Sequence, residues 1–423
     1  MTKKPTFYVL TPRDGFFCKD GRGWFTDGEG RARSLDWPMP TTVLGALRTA
    51  WGRGQEKKSG SVLSPAQWRQ VAGAVGLDAM IALRRPLKDI TRKDITQKDI
   101  TWDVSHRMWP CPADALMDES GHLIRLECRE SSDLPPTLPA GDDPEAQAIE
   151  ALWRPGREGK GKAKPGPRWW TDAMFLDWLM GTVPRDTVPR DTVSRGPSRR
   201  AEVKLALNPS SATAANSMLY VEEVVETLEA APQAAHDVHE WAMGCRVLLE
   251  SAALPCGDDD PLRPVTFGGG QRPACLDSIS TDTGNSKAVP GVFRIPEQLK
   301  KVVRKRRPRL LRLIAVTPLS FEHGWLPDGC QVDDGCFAWT LPSVGTPVWL
   351  RAALVPRPQH VSGWDMVENR PKDTIRLVPP GSVYVVERRD GKPFSHQEVE
   401  ALWFSSLGGR TDEGFGLIVP GLG

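Results

Sequence analysis

The sequence predicts an α+β protein of two domains carrying long loop insertions, and three observations predict it. The chain has 423 residues, more than a single core accommodates. Glycine (39) and proline (38) make up about 18 % of it, against roughly 12 % in an average chain, which favours loop-rich α+β architecture over a helical bundle. The second half reads strand, strand, strand, helix, strand, an order compatible with a ferredoxin-like fold on an antiparallel sheet. Residues 1–235 are expected to form one domain, with insertions near 85–105 and 130–200, and residues 236–423 the other.

In chain order, "TFYVL" (6–10) is an opening buried strand. "PTTVLGALRTAWG" (40–52) is a helix: Pro40 suits a helix start, Val43, Leu44, Leu47 and Trp51 fall at helical spacing, and Gly52 is expected to end it. The Gly-rich connection between them is far longer than compact domains use, which marks it for a functional role. Two short duplications, KDITR-KDITQ-KDITW (88–102) and a doubled TVPRD (182–191), are too short for a repeat architecture and read as exposed insertions. "GREGKGK" (156–162) matches phosphate-loop spacing, but "LWRP" precedes it, Ala163 stands where Ser or Thr is needed and Pro165 blocks the helix, so no nucleotide site is expected there.

Residues 202–225 read as a β-hairpin, from the alternation of Val203, Leu205 and Leu207 and the turn "NPSSATAAN". Residues 227–252 look helical. A run of eight basic residues within 299–312 reads as a loop before the strand "LLRLIAV", either solvated or touching a polyanion. "TPVWLRAALVP" and "GSVYVVE" are strands, "SHQEVEALWF" is a short amphipathic helix, and "GFGLIVP" is the closing strand.

Net charge is +2, so a nucleic-acid surface has to be a local patch. Eight cysteines without a CxxC pair signal neither a zinc knuckle nor a disulfide framework, and buried thiols are expected. The opening apolar run is too short for a signal-peptide core and no stretch reaches membrane-spanning length, so a cytosolic protein is expected.

The candidate binding elements are glycine loops that carry an arginine. "SSLGGRTDEGFG" (405–416) brackets Arg410 and Thr411 with Gly408, Gly409, Gly414 and Gly416, and "FGGGQR" couples Gly268 and Gly269 to Arg272. Glycines let a backbone bring N–H groups close to an anion, and arginine adds a charged fork. "HGW" and "SGW" set Trp325 and Trp364 beside small residues, where an indole face could stack on an unpaired base, core packing being the alternative for each. The combination favours single-stranded RNA over a free nucleotide. Of seven histidines only His323, in "FEHGW", stands where a general acid or base could work; "HDVH" (236–239) and "GDDD" (257–260) read as solvated segments without a metal. No catalytic residue, metal or cofactor is expected.

The motifs "FYVLTPRDGFFCKDGRGW", "LDWPMPTTVLGALRTAWG", "FGGGQRPA", "LIAVTPLSFEHGWLP", "RPQHVSGWDM", "KDTIRLVPPGSVYVVE" and "LGGRTDEGFG" occur in this order from residue 6 to 419. In order and character they resemble the RAMP subunit, third in the Cmr series, that holds the 5′ tag of crRNA in Cmr (type III-B CRISPR) effector complexes. The resemblance implies two ferredoxin-like (RRM-like) domains, no nuclease activity, and a prokaryotic cytoplasmic ribonucleoprotein of antiviral defence. The implied partners are the crRNA tag, the large cyclase-like subunit, a backbone RAMP subunit and target RNA. The implied RNA channel is lined by the helix from Thr41 through Gly45 to Arg48 and by the loops Gly268–Arg272 and Gly408–Gly416, with Trp325 and Trp364 structural or RNA-adjacent. Gly270 and Gln271 stand where related sequences tend to carry an acid. Two rivals remain at this point: a RAMP-type crRNA-processing endoribonuclease using His323, and an adaptor that touches only protein.

Overall fold

The computed structural model describes residues 4–19, 30–87, 102–130, 143–156, 162–183, 187–188, 192–231, 234–250, 264–279, 289–365 and 370–423. The KDIT repeat up to residue 101, most of the phosphate-loop-like segment, part of the TVPRD repeat and the GDDD segment lie outside these residues. The protein is mixed α and β, with six α-helices and two large antiparallel sheets among the described residues.

The first sheet is built around β1 (Lys4–Pro12), the predicted opening strand. Helix α1 (Pro40–Ser59) follows, and it runs past Gly52 to a C-cap at Gly60, which adopts the left-handed conformation. Gly52 instead lies where α2 (Pro65–Ala74) crosses: a Cβ there would sit 2.1 Å from the Trp68 ring, so glycine is required for helix contact and not for termination. Ser64 and Gln67 form a capping box at the start of α2. Then come β2 (Val75–Pro86), β3 (Arg107–Pro110), β4 (Trp169–Thr171) and helix α3 (Asp172–Leu179). The predicted hairpin is present as β5 (Arg199–Leu207) and β6 (Ala214–Val225).

Residues 227–252, expected to be helical, form the strands Leu228–Ala231 and β7 (Ala234–Leu249). β7 lies between β1 and β2, covered on both faces, so nearly every residue from Glu240 to Leu249 is buried and its sequence shows no alternation. β8 (Pro264–Phe267) and β9 (Arg272–Ser278) complete the sheet, whose order from β4 is β4-β3-β2-β7-β1-β9-β8. The division expected at 235/236 thus falls inside β7, at the centre of the first sheet.

The basic run is a helix, α4 (Glu297–Arg306), and not a loop: Leu299 and Val303, four residues apart, turn into the core while the cations face outward. The second sheet follows with β10 (Leu310–Ala315), β11 (Cys336–Leu341), β12 (Thr346–Leu354), β13 (Val383–Arg388), helix α5 (His396–Leu402) and β14 (Leu417–Leu422). Its order is β11-β12-β13-β10-β14. Ser395 and Glu398 close a capping box on α5.

The pleat of the first sheet divides the core. Tyr8, Leu10, Leu77 and Met80 pack against Val43, Leu44, Leu47 and Trp51 of α1. Val9, Ala79, Ile81 and Leu83 belong to a larger cluster that runs into Leu311, Leu313, Val386 and Ile418 of the second sheet. One apolar interior therefore joins the two halves. Two buried ion pairs sit within it: Arg107 grips Asp172 through Nε at 2.8 Å, and Arg312 reaches Asp114 at 2.5 Å. No helix among the described residues is long and apolar enough to cross a membrane.

Candidate nucleic-acid interface

The structure joins the predicted RNA-lining helix α1 to the 408–416 loop. The Leu77 N–H of β2 donates to the Asp412 carbonyl at 2.8 Å, so the loop after α5 is pinned to the first sheet. Gly414 lies against Pro40 and Leu77, where a Cβ would be 2.9 Å from each. Phe415 is fully buried with Met39, Val361 and Leu377 at the start of α1. Arg48 donates from Nε to the Val75 carbonyl at 3.2 Å; burial holds its pKa below the ordinary arginine value, and the nearby Glu413 and Asp412 partly offset this.

Thr41, Gly45 and Arg48 recur at i, i+4 and i+7, so they share one face of α1. Thr41 and Arg48 are half-buried, and Gly45 is exposed with nothing within 4 Å of where its Cβ would be. Arg410 is 37 % exposed, pairs with Glu413 at 2.6 Å and lies over the Phe415 ring at 5.0 Å. Thr411 is half-buried beside it. The α1 face and the 408–416 loop thus form one continuous surface.

The glycines of this loop do something other than cradle an anion. The N–H groups of Gly409, Glu413, Gly414 and Gly416 donate to the carbonyls of Ser320, Arg410, Thr411 and Pro318. Gly408 and Gly416 have φ of +81° and +86°, and a Cβ on either would fall within 2.4 Å of a carbonyl oxygen, Ser320 or Leu407. These glycines permit backbone to approach backbone.

The middle loop follows β8, whose Val265 and Phe267 share a core with Val43, Leu44 and Leu47 of α1, and its arginine is engaged. Gly268 and Gly269 close on Phe17, with the Gly269 N–H donating to the Phe17 carbonyl at 2.7 Å. Arg272 is buried and donates to Asp14 at 2.9 Å, Glu202 at 2.5 Å and Glu222 at 3.3 Å. A guanidinium committed to three carboxylates holds the loop to the β5–β6 hairpin. Trp325 is half-buried, packs edge-on against Phe337 and accepts the Tyr384 hydroxyl on its carbonyl at 2.7 Å, the role of a core-edge residue. Trp364 pairs with Pro371 in a short ribbon; its side chain lies outside the described residues. His323 is exposed in the turn it closes with Leu326. Among the described residues no group of three or more His, Cys, Asp or Glu is placed to hold a metal ion.

One feature of the surface was missed from sequence. A cleft of about 240 Å³ beside Met39 is lined by Arg33, Asp36, Arg168, Arg199 and Gln359, with Arg168 and Arg199 both on Asp36. Its residues come from four distant segments, so no local spacing marks them. The only signal was the unusual length of the connection that carries Arg33 and Asp36.

No curated protein matches the chain. Among solved structures it is similar to a chain of the type III-B Cmr-beta complex bound to cognate target RNA and AMPPnP, state 1, determined by cryo-EM. The two share 12 % identity over 90 % of this chain and 86 % of that one, at a TM-score of 0.39. A chain of the Cmr-beta complex bound to cognate target RNA gives 13 % identity, 91 % and 86 % coverage and a TM-score of 0.38. Scores this low carry no weight on their own. The sequence itself matches the family model described as "CRISPR-associated protein (Cas_Cmr3)" over residues 8–422. With a match that spans both sheets and the α1 and 408–416 surface between them, the chain belongs to the Cas_Cmr3 family of CRISPR-associated proteins.

Proposed function

We propose that this protein is a non-catalytic RNA-binding subunit of a type III-B CRISPR effector complex, holding the 5′ tag of crRNA on the surface shared by α1 and the 408–416 loop. The large cyclase-like subunit, a backbone RAMP subunit and target RNA are its further partners. Each half is a ferredoxin-like domain, and the division lies between β9 and α4. This division is supported by the shared core order: β2-β7-β1-β9 and β12-β13-β10-β14 place the second, third, first and fourth strands of each half side by side.

The observation that carries the RNA reading is Gly45. A glycine inside an exposed helix costs about 0.5–1 kcal/mol relative to alanine, and no neighbour among the described residues needs its missing Cβ. Close approach of a ligand to the helix backbone accounts for it, with Arg48 one turn away and Arg410 across the seam to meet phosphates. The glycine loop contributes rigid support and the Arg410 side chain.

The test is binding of the purified protein, alone and with the large subunit, to 5′-labelled guide RNA with and without its tag, with the same samples checked for cleavage. Tag-dependent binding of intact RNA is expected. Cleavage that His323→Ala abolishes would establish the endoribonuclease instead, and no binding of either RNA in both settings would leave the protein-only adaptor.

A further inference from the structure

Most arginines outside α4 are tied to carboxylates, carbonyls or rings, as Arg272, Arg312 and Arg410 illustrate. The helix α4 and its exit differ. Lys301, Arg304, Lys305, Arg306, Arg307 and Arg309 are all exposed within nine residues. Arg306 reaches the Met180 carbonyl at 3.1 Å, and the side chains of the other five make no hydrogen bond or ion pair among the described residues. Lys300, on the same helix, is paired with Glu297 and Glu400, so the acids nearby are already engaged.

The helix dipole accounts for cations in the last turn, Arg304 to Arg306, and not for those on either side. Arg307 is the second indication. It occupies the left-handed C-cap with φ +47°, a conformation that costs a residue with a Cβ about 1–2 kcal/mol and that glycine adopts freely. Arg307 carries a Cβ where glycine would be unstrained, and its side chain is exposed beside the other cations.

We infer that α4 and its exit segment form a second polyanion-binding surface, distinct from the α1 and 408–416 surface, and that its occupant is the sugar-phosphate backbone of an RNA strand outside the tag. The chemistry selects this class. Membrane-surface helices carry an exposed apolar face, whereas Leu299 and Val303 are buried here. A row of unpaired arginines and lysines, without exposed aromatic rings between them, suits a regular line of phosphates read for charge and not for sequence. The inference stands independently of the tag-binding proposal.

The experiment measures binding of the full chain to an unstructured, tag-free RNA oligonucleotide over a range of salt. On a single strand, each phosphate that a variant ceases to neutralise reduces the slope of log K against log salt by about 0.7 in magnitude, or about five-fold in affinity near 0.1 M salt. The variant Lys301→Gln/Arg304→Gln/Lys305→Gln/Arg309→Gln should lose about 2.8 of slope and the affinity that goes with it. Arg307→Gly alone should weaken RNA about five-fold near 0.1 M salt while its Tm stays level or rises, an outcome that a purely structural role for Arg307 does not give. An unchanged salt slope in both variants overturns the inference. A loss confined to polyglutamate or to phosphatidylserine vesicles, with RNA binding intact, also overturns it and identifies an acidic protein or a membrane as the occupant. Because the probe lacks the tag, these outcomes leave the tag-binding proposal untouched, and a failure of tag preference leaves these outcomes readable.

Discussion

The guanidinium of Arg272 donates to the carboxylate of Glu202 at 2.5 Å, joining the start of β9 to the β5–β6 hairpin. The side chain of Arg272 is 8 % exposed and its other partners are Asp14 and Glu222. Removing it leaves the buried Glu222 with, among the described residues, only the Lys204 ammonium at 3.6 Å, while Asp14 keeps Arg200, and Glu202 keeps Arg200 and Lys204. Arg272→Ala is therefore expected to destabilise the protein by about 2 kcal/mol, read as a lower urea midpoint, while the folded fraction keeps its affinity for tagged RNA. A selective loss of RNA affinity at unchanged stability would return Arg272 to the RNA surface.

The same cluster sets an acid-side limit on stability. The hydrogen bond from Arg272, then that from Lys204, draws the Glu202 carboxyl down to about 2, from 4.5 in the absence of such partners. Between these values the unfolded chain binds a proton that the folded chain refuses, so stability rises with pH across the window. The contribution is complete above about pH 4.5 and lost as pH falls towards 2. Tm followed as a function of pH should fall less steeply on the acid side in Glu202→Gln than in the wild type, and parallel curves would show that the pairing contributes nothing.

What the sequence reveals and what it hides follow from the range of the interactions. Helix α1 was legible because Val43, Leu44, Leu47 and Trp51 repeat within three turns and are all buried on one side. The hairpin was legible from Val203, Leu205 and Leu207, although these face solvent at 68 %, 50 % and 58 % exposure and the polar alternates make the ion-pair cluster. β7 was hidden because burial on both faces erases alternation. The commitment of Arg272 was hidden because its three partners lie 50 to 258 residues away. The seam between Arg48 and Asp412 was likewise beyond any local pattern, so the two loops built from glycine and arginine looked equivalent, although Arg272 is buried among carboxylates and Arg410 is partly exposed.

The loop glycines differ among themselves in a way that substitution can read. Gly416 combines φ +86° with a Cβ position 2.2 Å from the Leu407 carbonyl oxygen, whereas a Cβ at Gly409 meets the Ser320 oxygen at 3.6 Å. Gly416→Ala should cost about 3 kcal/mol or more through backbone strain and forced movement, and it should release Phe415 from Met39. Gly409→Ala should stay within about 0.5 kcal/mol of the wild type. Urea denaturation of the two variants checks the pair, and equal midpoints would mean that the loop is not held by close backbone approach.

Gly45 separates stability from function most cleanly. Its methyl group as alanine meets no atom within 4 Å, and alanine is the better helix former, so Gly45→Ala should stabilise the fold by about 0.5–1 kcal/mol. If RNA lies against this face of α1, the added methyl group pushes the strand away from the helix and lengthens the contact to Arg48. Affinity for tagged guide RNA should then fall about ten-fold, the equivalent of about 1.4 kcal/mol, while Tm rises and binding of tag-free RNA stays unchanged. Thr49→Ala is the control: its hydroxyl bonds the Gly45 carbonyl within the helix at 2.8 Å, so its loss changes the helix surface without adding bulk above Gly45. A Gly45→Ala protein that is more stable and binds tagged RNA as tightly as the wild type would place the strand elsewhere on the molecule.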